Sequence, residues 1–308
     1  MTALHRRLDD YLALRRALGF KLDRAGHLLP DFIDHLERHG AAAITTRLAL
    51  DWAKQPTDGH PIWWAQRLAI VRAFAQHMSA LDPRTEVPTR ELLPHRVRRA
   101  TPYLYSEQDV SRLIAAARAR LSSLRAETYA TLFGLIAVTG MRVGEAIALD
   151  RTDFDEADGV LVVRFGKFRR SREIPLHDTT VAALRAYARL RDRRARHPRS
   201  PSLFLSSKGT RLFYKNAHFV FFGLVRAAGL ERRSPHCRPR IHDLRHTFAV
   251  RTLVGWYHAG LDVEALLPRL STYLGHVNPV STYWYLSASP ELFALAAHRA
   301  DRAHGGHP

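Results

Sequence analysis

Apolar residues recur at three- and four-residue spacing through most of the chain, and a strand-like pattern appears in only one stretch. The first apolar stripe, Leu4 to Leu18, stops at Gly19, and the second, Ala25 to Arg38, ends at Gly40. Thr45 or Thr46 is placed to cap a third helix through Ala53. Pro61 opens a fourth, running through Trp64, Leu68, Val71 and Phe74 to about Leu81. Residues 83–103 break the pattern with four prolines and a basic cluster at Arg96, Arg98 and Arg99. Helical spacing resumes after Ser106, a good N-cap for Glu107–Ala117, and continues from about Ala126 to Val138. The segment TGMRVGEAIALD reads as a turn and a further helix. Gly159–Phe165 and Glu173–Leu176 are strand-like and flank GKFRRSR, predicting a basic β-hairpin. Thr179–His197 returns to helix, and the remainder is mainly helical, broken by Pro235, Pro239, Gly260, Gly275 and Pro279. Pro268 falls inside a helical run, where a kink or break is expected. The pattern predicts a mainly α fold with a small β-hairpin or sheet (α+β): a helical domain over 1–82, a basic linker over 83–103 and a larger domain over 104–308.

Composition narrows the classes. In 308 residues, 46% are hydrophobic, which disfavours wholesale disorder. The only cysteine, Cys237, has no internal disulfide partner, as expected for a reducing compartment. The longest apolar run, Tyr129 to Val138, is about half a membrane span, and the N-terminus lacks a signal-peptide pattern. A cytoplasmic protein without membrane segments is expected. The net charge is +18, from 47 basic and 29 acidic residues, and points to a polyanion such as nucleic acid. An arginine-rich codon bias is the bland reading, since 42 of the basic residues are Arg. The excess is uneven, at +5 over residues 1–100 and +13 over the rest, so the larger domain should hold the stronger anion site.

Four short segments carry candidate chemistry: TGMRVGEAIAL with Arg142, RFGKFRRSREIPL with Lys167, HDLRHTF with His242 and Arg245, and LGHVNPVSTYWY with His276 and Tyr285. Singly, each has a plain alternative: a solvated arginine, a surface lysine, a capping histidine, a core tyrosine. His242 and His246 at i and i+4, near Cys237, superficially suggest zinc. Asp243 stands where such helices carry Glu, however, and Arg245 would set a fixed positive charge beside the metal, so no metal is expected.

Together, in this order, the segments resemble the tyrosine recombinases, the phage-integrase and Xer/Cre type of site-specific DNA recombinase. G-x-R-x-x-E-x-x-x-L is Gly140, Arg142, Glu145 and Leu149; H-x-x-R is His242 and Arg245; L-G-H is Leu274, Gly275 and His276; T-x-x-Y is Thr282 and Tyr285. Tyr285 lies nine residues after His276, which favours it over Tyr283 or Tyr273. The resemblance covers about residues 104–300. It implies that the larger domain is catalytic and that residues 1–82 are a core-binding domain clamping DNA with it.

Each residue type suits that chemistry. A phosphodiester under attack gains charge on its non-bridging oxygens, which Arg142 and Arg245 would hold, with Glu145 orienting Arg142 from one helical turn away. Tyr285 would form a 3′-phosphotyrosine, with His242 as general base, Lys167 as acid for the 5′-oxygen and His276 supporting phosphate or nucleophile. Arg96, Arg98, Arg99, Arg169 and Arg170 would contact the DNA backbone. The resemblance implies no cofactor, four protomers on two duplex DNA sites, companion recombinases in some systems, and a nucleoid location. A catalytically inactive DNA-binding relative and a type IB topoisomerase-like enzyme are the alternatives. The final segment, PELFALAAHRA, with Leu292, Phe293, Leu295 and Ala296, suits a tail docking on a neighbouring protomer; packing on its own core is the other option.

Overall fold

In the computed structural model, the described residues are all except 1, 56, 58, 95–99, 165–170, 196, 277, 279, 288–291 and 296–308. The chain separates into two compact units, Met1–Arg99 and Ala100–Pro308.

The first unit holds α1 (Ala3–Ala17), α2 (Asp23–Arg38), α3 (Thr46–Lys54) and α4 (Pro61–Ser79). Thr45 caps α3 by accepting from the Leu48 amide at 3.3 Å, and Pro61 starts α4 where its missing N–H costs nothing. Leu29, Phe32, Ile33, Leu48, Trp52, Leu68, Val71 and Phe74 form its core. Buried Arg67 stacks on Trp52, 3.7 Å from the ring centroid, and donates to the Trp52 carbonyl at 3.0 Å.

Much of the proline-rich stretch packs rather than hanging free. Leu93 is buried in the first unit, Glu86 donates its amide to the Ile44 carbonyl at 2.8 Å, and Arg72 holds the Pro88 carbonyl at 2.6 Å. Tyr103 and Tyr105 belong to the core of the second unit. Arg96, Arg98 and Arg99 lie outside the described residues.

The second unit contains α5 (Glu107–Arg120), α6 (Ser123–Thr139), α7 (Val143–Ala148), α8 (Asp178–Arg194), α9 (Tyr214–Ala227), α10 (Ile241–His258), α11 (Val263–Tyr273) and α12 (Val280–Tyr283). Ser106 and Asp109 close a reciprocal cap on α5. The apolar helix α6 packs against α5, α8 and α10, and so forms the centre of the unit. β1 (Phe154–Asp155), β2 (Val160–Val163) and β3 (Arg172–Pro175) make an antiparallel sheet in the order β1-β2-β3. The hairpin register pairs Val163 with Arg172 and Leu161 with Ile174. β1 was not foreseen, because two residues are too short to show an alternation. The tip, with Lys167, Arg169 and Arg170, lies outside the described residues.

Pro268 does not break its helix: α11 runs unbroken from Val263 to Tyr273. Its ring falls in the second turn, where the missing N–H leaves at most one carbonyl of the first turn unbonded. A further core joins α10 and α11 to Tyr285 and Leu292. For Leu292 the own-core alternative therefore holds, while Phe293 remains 69% exposed. Among the described residues no helix is long and apolar enough to cross a membrane.

Candidate active site

The turn between α6 and α7 places the first guanidinium. α6 ends on Gly140 in the left-handed region, at φ +62°, and an added Cβ would collide with the Phe248 ring and meet Leu274 Cδ2 at 3.1 Å. Two residues on, Arg142 is the N-cap of α7, and its amide donates to Glu145 Oε2 at 3.0 Å. The R-x-x-E spacing is thus a helix cap as well as an ion pair, because Arg142 Nη1 also donates to Glu145 Oε1 at 2.8 Å. Arg142 Nη1 and Nη2 reach the Leu274 and Gly275 carbonyls at 3.4 and 3.0 Å. Its Nε–H and one Nη2–H have no hydrogen-bond partner among the described residues.

Arg245, on the first turns of α10, is 1% exposed. Its Nη1 donates to the Gly140 carbonyl at 2.8 Å, and its Nη2 to the Leu274 carbonyl at 2.7 Å and to His276 Nε2 at 2.9 Å. Burial, then the charge of Arg142, lower its pKa to about 10, so it stays charged at neutral pH. Both guanidinium groups therefore converge on one turn, Leu274–Gly275–His276, which follows α11.

Gly275 makes that convergence possible. It sits at φ +66°, and a Cβ there would approach Arg172 Nη1 at 2.9 Å and Arg142 Nη1 at 3.5 Å. Arg172, at the start of β3, was not singled out in the sequence. Its Nη2 and Nη1 donate to Glu145 at 2.8 and 3.3 Å, and its Nε donates to the Tyr273 carbonyl at 2.8 Å. Glu145 is thus held by two arginines. Burial raises its pKa, but the hydrogen bonds and charge of Arg172 and Arg142 outweigh that and bring it to about 2. Three arginines share this one carboxylate's neighbourhood, which leaves a positive excess suited to an anion.

His276 Nδ1 lies 2.7 Å from Thr282 Oγ1. Burial, then Arg245 and Arg142, push its pKa down to about 4, so the ring is neutral at pH 7. His242 keeps an exposed edge; desolvation and then the charges of Arg245 and Arg142 move its pKa below the ordinary imidazole range. The His242 ring meets His246 edge-on at 4.6 Å between centroids, and His246 in turn meets Tyr285 at 5.4 Å.

Tyr285 follows α12 in a 3-10 turn, Trp284–Ser287. It is 2% exposed, stacks on His276 at 6.0 Å and 21°, and hydrogen-bonds Arg245. Tyr283 points the other way, 52% exposed, and Tyr273 stacks on Phe248 with its backbone carbonyl on Arg172. The structure thus gathers Arg142, Glu145, Arg245, His276 and Tyr285 around one turn, with His246 beside the tyrosine and His242 beside His246. The guanidinium groups offer fixed donors for an anionic oxygen.

The sequence profile of the phage integrase family matches residues 104–291. A protein of Sinorhizobium fredii described as an integrase or recombinase, y4rB, is 46% identical over 308 residues, covering 98% of each chain. The tyrosine recombinase XerD of Caulobacter vibrioides is 31% identical over 241 residues, covering 76% of this chain and 73% of its own. Among solved structures, a lambda integrase tetramer bound to a Holliday junction aligns with a TM-score of 0.61 at 18% identity, over 92% of this chain and 76% of the other.

Proposed function

The chain belongs to the phage integrase family of tyrosine recombinases, and from that footing we propose that it cleaves and rejoins duplex DNA at specific sites through Tyr285. The observation that carries the assignment is the convergence of Arg142, Arg245, His276 and Tyr285 on the turn after α11.

The Tyr285 oxygen attacks the scissile phosphorus, the bond to the 5′-oxygen breaks, and a 3′-phosphotyrosine forms. The bond energy is retained, so a 5′-hydroxyl from another strand reverses the step without nucleotide or metal. Arg142 and Arg245 hold the non-bridging oxygens, where charge grows in the transition state. His242, kept neutral by its surroundings, takes the phenol proton, and Lys167 returns a proton to the leaving 5′-oxygen. His276 supports Arg245 and the ring of Tyr285.

The helical unit adds to the DNA-binding surface, and Arg96, Arg98, Arg99, Arg169 and Arg170 contact the DNA backbone. The lambda integrase relative is a tetramer on a Holliday junction, and the same assembly on two DNA sites is proposed here. The work takes place on DNA in the cytoplasm, for a mobile element or an Xer-like system, alone or with companion recombinases.

The test is a nicked suicide substrate carrying the element's own site. A covalent adduct mapped by mass spectrometry to Tyr285, and joined product from two sites, is the expected result. Adduct without joined product would favour a relaxing topoisomerase. No adduct from the intact chain on its own site would indicate a DNA-binding relative without catalysis.

A further inference from the structure

Among the described residues of the site, Arg172 is a strong cation that the chemistry above leaves without a task. Its side chain is 14% exposed and joins three separate pieces of backbone. It stands on the first residue of β3, opposite Val163 of β2. It reaches Glu145 in α7 through Nη1 and Nη2, and the Tyr273 carbonyl at the end of α11 through Nε. Glu145 meanwhile receives the Arg142 amide at 3.0 Å and Arg142 Nη1 at 2.8 Å. Four donors thus saturate a carboxylate whose side chain is 9% exposed.

The geometry of the sharing matters more than the charge. A carboxylate facing a lone arginine tends toward a two-bond fork. Here Arg172 occupies Oε2 together with the Arg142 amide, so the Arg142 guanidinium touches Glu145 through Nη1 alone. Its Nη2 is left for the Gly275 carbonyl, with Nε–H and one further N–H unbonded among the described residues. Without Arg172, only the Arg142 amide would hold Oε2, and Glu145 could turn to fork both outer nitrogens of Arg142 and draw them from the phosphate. Gly275 keeps the space: a Cβ there would lie 3.1 Å from Arg172 Cζ.

We infer that Arg172 is a positioning residue, which holds Glu145 so that Arg142 presents its free N–H groups to the scissile phosphate. The inference rests on the reading of Arg142 as a phosphate-holding residue. Arg172 itself touches no reacting atom, and its contribution passes through a neighbour's orientation.

The test uses the full chain on a nicked suicide substrate, in two forms. One carries an ordinary scissile phosphodiester. The other carries a methylphosphonate there, which is neutral and needs less cationic support. Arg172→Ala should slow adduct formation about 100-fold on the charged substrate. It should change duplex affinity little, and lose most of its defect, relative to the parent chain, on the neutral substrate. Arg172→Lys keeps the charge and one donor direction, and should fall between parent and Ala. Glu145→Gln, which is isosteric, should show the same dependence on phosphate charge and serves if Arg172→Ala does not fold. A rate equal to the parent on the charged substrate overturns the inference. So does an equal defect on both substrates with Lys no better than Ala, the pattern of a purely structural role. Normal cleavage by Arg142→Ala would instead overturn the underlying reading of the site.

Discussion

Arg245 Nη2 lies 2.9 Å from His276 Nε2, and a guanidinium has no lone pair to offer, so the imidazole is the acceptor. That single contact fixes the rest of the ring. Nε2 carries no proton, Nδ1 does, and Nδ1–H donates to Thr282 Oγ1 at 2.7 Å. His276 is therefore a neutral, oriented spacer between Arg245 and the segment that carries Tyr285.

The DNA-free protein should keep His276 neutral well into the acid range. Its folded pKa, about 4, lies below the ordinary 6.5. A depressed value means that the unfolded chain takes up the proton first. The stabilising contribution is complete above pH 6.5 and is lost as the pH falls toward 4. Stability should decline across that window with a slope approaching about 1.4 kcal/mol per pH unit for this group. Imidazole NMR titration, with His276→Gln as the assignment control, checks it; a His276 midpoint near 6.5 would contradict the depressed value and the pH window drawn from it.

Tyr285→Phe should abolish the covalent adduct while leaving duplex affinity unchanged. The ring is 2% exposed and stacked, and removing one oxygen leaves that packing in place. Tyr283→Phe should react like the parent, since its side chain is half exposed. Gel-resolved adduct from a suicide substrate reads both.

Arg245→Ala should cost both folding and chemistry. The substitution strips donors from the Gly140 carbonyl and His276 Nε2, at about 1–3 kcal/mol for each buried acceptor left unpaired, and leaves the Leu274 carbonyl only the 3.4 Å contact from Arg142. The melting temperature should drop by several degrees and the adduct should disappear. Arg142→Ala, with its side chain 27% exposed, should lose the adduct with a much smaller change in melting temperature. Differential scanning fluorimetry beside the cleavage assay separates the two.

The assignment of the base can be tested on its own. Tyr285 meets His246 and His276 directly, and His242 meets His246. If His242 takes the phenol proton once DNA is bound, His242→Ala should slow cleavage about 100-fold, and His246→Ala should slow it less. The reverse order would move the role to His246.

The recombination motifs were legible because each packs chemistry into a short window. R-x-x-E states a helix cap and an ion pair at once, and the spacing of Tyr285 from His276 distinguishes it from Tyr283. The hairpin was legible as two strand-like runs around a basic segment. Arg172 was not, because its partners lie 27 residues back at Glu145 and 101 residues on at Tyr273, and no local pattern encodes such contacts. Pro268 misled for the opposite reason: the local rule is sound, but its ring sits so early in α11 that little is left to break. The proline-rich stretch reads as an extended basic linker, and no local pattern shows that Leu93 in its middle and Tyr103 at its end belong to separate cores.

Gly275 has a bearing on inheritance. Every glycine codon begins with the same two bases, and any single-base change that alters the amino acid adds a Cβ. At Gly275 that atom meets Arg172 and Arg142, and at Gly140 it meets Phe248 and Leu274. Two positions with no task in the proposed chemistry are therefore as unforgiving of point mutation as Tyr285, its proposed nucleophile. Where copies of this gene decay, inactive alleles should be marked by replaced glycines as often as by a replaced tyrosine.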